Sequence, residues 1–168
     1  MITRILPAIA LVLLCTSGVR AQTVTQERQA YYDRVLEAES DWGGDNLASG
    51  TWRVIDWQLE PDAQAYFTYL NSERFTVLGN QRYRTWIKIV RKQDNVTSYG
   101  KAFRSTVRQL DVDCVRRRIR HGPSALYDQN GRVVDSVDSW SEDWSETLPD
   151  SQGELWVKEI CSYARNRR

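Results

Sequence analysis

The chain has 168 residues, with 23 lysines and arginines against 22 aspartates and glutamates and one histidine, for a net charge of +1. A balance this close to neutral argues against nucleic acid as a general partner. The single His121 excludes a histidine-rich metal site within one chain, and the length suits one domain with a sizeable core.

The N-terminus reads "MITRILPAIALVLLCTSGVRAQ". Arg4 gives a positive start, residues 5–15 are apolar but too few to span a bilayer, and "VRA" offers cleavage after Ala21. This predicts a signal peptide over 1–21 and an exported mature chain. A short buried helix is the competing reading. Lipid attachment at Cys15 is a third, and the large Leu14 before the cysteine departs from that pattern. Cleavage removes Arg4 and Arg20, so the mature chain carries 21 of the 23 basic residues against 22 acids. No other apolar run approaches membrane length, so no membrane span is expected. Two cysteines remain, Cys114 and Cys161. In an oxidising compartment an even pair reads as one disulfide, with two separate buried thiols as the alternative.

Residues 22–50 read as a polar arm. Within it "TQERQAYYDRVLEAES" fits an amphipathic helix, ended by the loop "GGDNLASG". From Thr51 the period becomes two, and residues 51–168 read as a single domain. "TWRVIDWQ", "AYFTYL" and a short "RFTVL" are strand-like, with "EPDAQ" as a break and Gly79-Asn80 as a turn. "RYRTWIKIV" alternates: Tyr83, Thr85, Ile87 and Ile89 share one face, and Arg82, Arg84, Trp86 and Lys88 share the other, which should meet solvent.

A long strand is expected from about Phe103 to Arg120. Its apolar face switches from Leu110, Val112 and Cys114 to Val115 and Ile119, as at a bulge or where a covering helix ends. "SALY" and "RVVDSV" flank a hairpin loop at "DQNG", and "DSWSEDWSET" is an acidic loop with tryptophans. The C-terminus starts a helix at Ser151, with Glu154 completing a capping box. Val157, Ile160, Cys161 and Ala164 form its apolar stripe. The fold class is therefore α+β: an antiparallel sheet of about five or six strands, with a C-terminal helix stapled to one face through Cys161 and Cys114.

Catalytic chemistry finds little purchase. Cys114 lies beside arginines that could favour a thiolate, but a disulfide sulfur is no nucleophile. His121 sits in "RHGPS", which reads as a turn. There is no nucleophile elbow and no glycine-rich phosphate loop, so no enzyme, cofactor or metal is called for. Asp111 and Asp113 point the same way from a strand. They lack calcium-loop spacing and read as a solvated face beside arginines that offer cross-strand pairs; Glu142, Asp143 and Glu146 read likewise. The basic run Arg116, Arg117, Arg118 and Arg120, with Trp86 as an exposed aromatic, is the candidate binding surface. Such clusters take sulfated glycans or other anions.

Taken in order, "AYFTYLNSERF", "TWIKIV", "SYGKAFRSTVRQLDVDC", "ALYDQNGRVV" and "LPDSQGELWVKEIC" resemble the surface-adhesin protein E family of Gram-negative envelope proteins, over roughly Trp52 to Tyr163. The resemblance implies an antiparallel sheet with an attached C-terminal helix, bonded cysteines, often a homodimer, and no catalytic machinery. The expected function is a non-enzymatic exported binding module that contacts host matrix proteins or anionic glycans. The alternative is a soluble periplasmic assembly or housekeeping factor whose sheet edge takes an envelope protein or peptide. An envelope hydrolase would need His121 in a cleft with two carboxylates.

Overall fold

The computed structural model describes residues 51–58 and 65–167. The expected signal peptide, the N-terminal arm with its helix, and the "EPDAQ" break lie outside the described residues.

Among the described residues, eight strands form one antiparallel sheet: β1 (Trp52–Gln58), β2 (Tyr66–Asn71), β3 (Thr76–Gly79), β4 (Arg82–Val96), β5 (Ala102–Asp113), β6 (Arg118–Tyr127), β7 (Val133–Val137) and β8 (Ser145–Glu146). Their order is β1-β2-β4-β5-β6-β7, with β3 beside the start of β4 and β8 beside the start of β6. One helix follows, α1 (Gln152–Asn166). This is the α+β sheet with a C-terminal helix. The main path has six strands, and β8 is a short addition within the tryptophan-bearing loop.

The alternation in β4 is real: Tyr83, Thr85 and Ile87 are buried, while Arg82, Arg84 and Trp86 between them are half-exposed. On the buried side, Leu70, Ile87, Leu110, Val112 and Ile119 pack against Trp156, Val157, Ile160 and Cys161 of α1. Each such aliphatic side chain contributes roughly 1.5–3 kcal/mol when removed from water. The helix begins where the capping signal places it, since the Ser151 hydroxyl accepts from the Glu154 amide at 3.2 Å. Glu154 turns its own carboxylate one residue further out, to the Asp150 amide at 2.7 Å. Cys161 lies on the buried stripe and is bonded to Cys114 across 47 residues of chain, with the Cα atoms 5.9 Å apart.

Three local expectations are corrected. The stretch from Phe103 to Arg120 is not one strand: β5 stops at Asp113, residues 114–117 turn, and β6 runs back. Asp113 Oδ1 causes the reversal by accepting from the Val115 amide at 3.2 Å and the Arg116 amide at 3.0 Å. Arg117 completes the turn with a φ of 52°. The switch in apolar face after Cys114 is therefore a change of strand. His121, expected in a turn, is inside β6, where a register shift opposite Arg108–Leu110 absorbs Gly122 and Pro123. Asp111 and Asp113, expected on a solvated face, are 0% and 1% exposed.

The staple should matter energetically. Replacing both Cys114 and Cys161 with Ala should lower unfolding free energy by about 2–4 kcal/mol, since the bond closes a long loop. Chemical denaturation of the oxidised and double-variant proteins checks this. A non-reduced digest of the exported protein should contain the linked Cys114–Cys161 peptide.

Candidate functional site

The sheet face opposite α1 carries charge in rows. In the β4–β5 register Arg84 stands beside Asp111 and Arg82 beside Asp113. In the β5–β6 register Asp111 stands beside Arg120 and Asp113 beside Arg118. Two Arg–Asp–Arg rows thus cross three strands. Side chains directly opposite on one face lie within reach of each other, so strand pairing alone brings these charges together.

The first row is tightly bonded. Arg84 Nε and Nη2 donate to the two oxygens of Asp111 at 2.7 and 3.0 Å, and Arg120 Nη2 donates to Asp111 Oδ2 at 2.7 Å. The hydrogen bond to Asp111 holds the Arg84 guanidinium above its ordinary pKa, against the opposing effect of burial. The second row is more crowded. Asp113 Oδ1 is occupied by the turn amides, and Oδ2 takes Arg82 Nε at 2.9 Å. Arg116 and Arg118 stand further from Oδ2, at 3.6 and 3.8 Å. Burial pushes the Asp113 carboxyl up, but the Arg116 amide and the Arg82 guanidinium outweigh it and leave the pKa below the ordinary value.

Two tryptophans from the loop between β7 and β8 roof these rows. Trp140 lies against the guanidiniums of Arg84 and Arg120, at 4.2 and 5.1 Å from its ring centre. Trp144 lies against Arg82, Arg118 and Arg120 at 5.6, 5.6 and 5.4 Å. The Nε atoms of Arg118 and Arg120 are buried without a hydrogen-bond partner. The negative π faces of the indoles supply the missing electrostatic partner. Gly122 makes room for the roof: a Cβ there would fall 2.7 Å from the Trp140 ring. Glu142 and Asp143 of the same loop and Glu146 of β8 are exposed.

The proposed binding residues divide across this arrangement. Arg118 and Arg120 belong to the roofed rows. Trp86 is half-buried on the same face, two residues beyond Arg84. Arg116 and Arg117 project from the turn, with side chains 60% and 61% exposed. Arg117 pairs with Glu154 of α1. The cation–aromatic roof is what sequence reasoning missed. Its signal was two tryptophans spaced four apart in an otherwise polar loop, with a glycine two residues after Arg120.

Two other places gather polar side chains. His121 meets Arg108, with Arg108 Nη1 3.4 Å from its Nδ1, and not a carboxylate pair. Burial, then the Arg108 charge, push its pKa below the ordinary value. An open recess of about 700 Å³ lies where α1 begins, lined in part by Asp56, Tyr66, Arg117, Gln152 and Lys158. There the buried Asp56 accepts from Tyr66 at 3.2 Å and from Gln152 at 3.3 Å. Tyr66 is pushed up to about 12 by burial and by the Asp56 charge, so it remains a donor. Among the described residues no cluster of three or more His, Cys, Asp or Glu side chains is placed to hold a metal ion. No helix among them is long and apolar enough to cross a membrane.

The rows make two predictions. Asp111→Asn should cost about 3–5 kcal/mol of stability, because it removes the counter-charge from two roofed guanidiniums. Trp140→Ala should cost less, and urea unfolding of both variants ranks them. Stability should also fall on acidification in two windows. His121 has a lowered folded pKa, so its contribution is complete above the unfolded value near 6.5 and is lost as pH drops below it. Asp113 behaves likewise below about 3.8. An NMR titration should place the His121 midpoint below 6.5, and His121→Gln should remove the upper window.

No curated protein sequence matches the chain. Solved structures of Haemophilus influenzae protein E are similar. One shares 15% identity, covers 69% of this chain and 88% of its own, and has a TM-score of 0.48. A second crystal form shares 15% identity over 56% and 80%, with a TM-score of 0.46. Protein E from non-typeable Haemophilus influenzae shares 15% over 69% and 79%, with a TM-score of 0.47. A sequence profile for surface-adhesin protein E matches residues 52–162, from the first residue of β1 well into α1. On that match, the chain belongs to the surface-adhesin protein E family.

Proposed function

We propose that residues 51–168 form a non-enzymatic exported binding module, delivered to the cell envelope by a signal peptide at 1–21. The contact surface is the β5–β6 turn, with Arg116 and Arg117 as its leading residues and Arg118, Arg120 and Trp86 behind them. One observation carries this reading. Two arginine side chains more than half exposed stand on a turn whose backbone is held by the Asp113 carboxylate and the adjacent disulfide. Cations displayed on a fixed backbone lose little freedom on binding, which favours affinity for anionic surfaces on host matrix proteins or glycans. The name of the family supports adhesion as the class of function.

A second reading has its own observation. The β7 strand is paired on one side only among the described residues, and Val133 and Val137 on it are exposed. An open edge suits a periplasmic factor that takes an extended segment of an envelope protein.

The test compares wild type with Arg116→Ala/Arg117→Ala on an array of matrix proteins and sulfated glycans. Arg118 and Arg120 are left intact, because they hold the sheet face together. Binding should weaken with salt and drop at least tenfold in the double variant, while the melting temperature falls only slightly on loss of the exposed Arg117–Glu154 pair. No binding at low salt, with the intact protein, sinks surface adhesion. Fractionation of the native protein then separates outer-surface display from free periplasm.

A further inference from the structure

We infer that the recess at the start of α1 is a ligand site, and that its ligand carries a primary ammonium group seated on the Asp56 carboxylate. The site does not depend on the contact surface proposed above, and it selects the opposite charge.

Asp56, Asp111 and Asp113 are the buried carboxylates among the described residues, at 5%, 0% and 1% exposure. Asp111 holds two guanidiniums and Asp113 three. No lysine or arginine among the described residues pairs with Asp56. Its partners are neutral: the Tyr66 hydroxyl at 3.2 Å and the Gln152 side-chain amide at 3.3 Å. Tyr66, pushed up to about 12 by burial and by the Asp56 charge, keeps its proton and supplies no counter-charge. Both bonds fall on Oδ2, so Oδ1 is left to accept from the recess. A buried carboxylate is normally matched by a cation, and here the cation must come from outside.

The surroundings suit such a ligand. The recess is open and about 700 Å³ in volume, within the range of small-molecule sites. The charged side chains lining it are Asp56, Asp150, Glu154, Arg117 and Lys158. Arg117 and Glu154 pair with each other. What remains is two carboxylates against one ammonium, that of the exposed Lys158, so the recess is acidic on balance. One carboxylate with two neutral neighbours is too few oxygens for calcium or magnesium. An ammonium is better matched. Its three donors can meet Asp56 Oδ1, the Tyr66 hydroxyl oxygen and the Gln152 amide oxygen.

The test is calorimetry on the full exported chain with three probes on chains of equal length: cadaverine, Nα-acetyl-lysine methylamide and pentanol. Both ammonium probes should bind and the alcohol should not. Tighter binding of cadaverine identifies a free polyamine as the source of the group, and tighter binding of the lysine amide identifies a peptide side chain. Asp56→Asn keeps the shape and the bonds from Tyr66 and Gln152. It should weaken both ammonium probes at least about tenfold. Lys158→Glu should tighten both by about threefold. Without ligand, Asp56→Asn should unfold at the same urea concentration as wild type or a higher one, because an unmatched buried charge is gone. Failure of both ammonium probes at millimolar concentration, equal binding of the alcohol, or undiminished binding in Asp56→Asn overturns the site. So does a drop in the urea midpoint as large as that of Asp111→Asn, which makes Asp56 a structural acceptor.

Discussion

Two carboxylates without solvent exposure sit in the middle of a sheet face, and most of the molecule is arranged so that they can stay there. Removing a carboxylate from water costs several kcal/mol even after the surroundings relax, so Asp111 and Asp113 are tolerable only with abundant donors. Strand register supplies them, because Arg84, Arg82, Arg120 and Arg118 are the direct cross-strand neighbours. The guanidiniums in turn need partners for the donors that the carboxylates cannot use. Trp140 and Trp144 fill that role, and Gly122 leaves the space for it. Register, roof and glycine are thus one system. A one-residue slip of β5 would turn Asp111 and Asp113 into the apolar core and place Leu110 and Val112 under the tryptophans.

The opposite face follows a different logic and is nearly independent of the first. Its aliphatic residues are covered by α1, whose position is set by the Ser151 N-cap at one end and by the Cys114–Cys161 bond near the other. The two faces meet at Asp113 and Cys114, neighbours in sequence. One caps the turn and anchors arginines on the charged face; the other ties the strand end to the helix. Arg117 adds a third link by pairing with Glu154 in the first turn of α1.

Much of this was legible beforehand for reasons that are local. Alternation in "RYRTWIKIV", the Ser151–Glu154 spacing and the helical stripe through Cys161 each depend on neighbours within a few positions, and the cysteine pair needed only a count of two; each appears as expected. What escaped notice depends on partners far along the chain. Asp113 looks like a strand residue until its carboxylate is seen capping two amides of a turn. His121 looks like a turn residue because Gly122 and Pro123 follow it, yet Gly122 is there for an indole some eighteen positions downstream and both lie within β6. The arginines after Cys114 read as a uniform basic run, whereas the fold sorts them. Two join the roofed rows, and two project from the turn.

The turn itself has a consequence for how this scaffold tolerates change. Its shape comes from the Asp113 side chain, the Cys114 bond and an amide from Cys114 to the Gln81 carbonyl at 3.1 Å, none of which involves the side chains of Val115 or Arg116. Those two positions can therefore drift while the backbone beneath them stays fixed. A lineage under pressure to recognise a different surface could rewrite them without renegotiating the core, much as a keyring holds its shape whichever keys it carries.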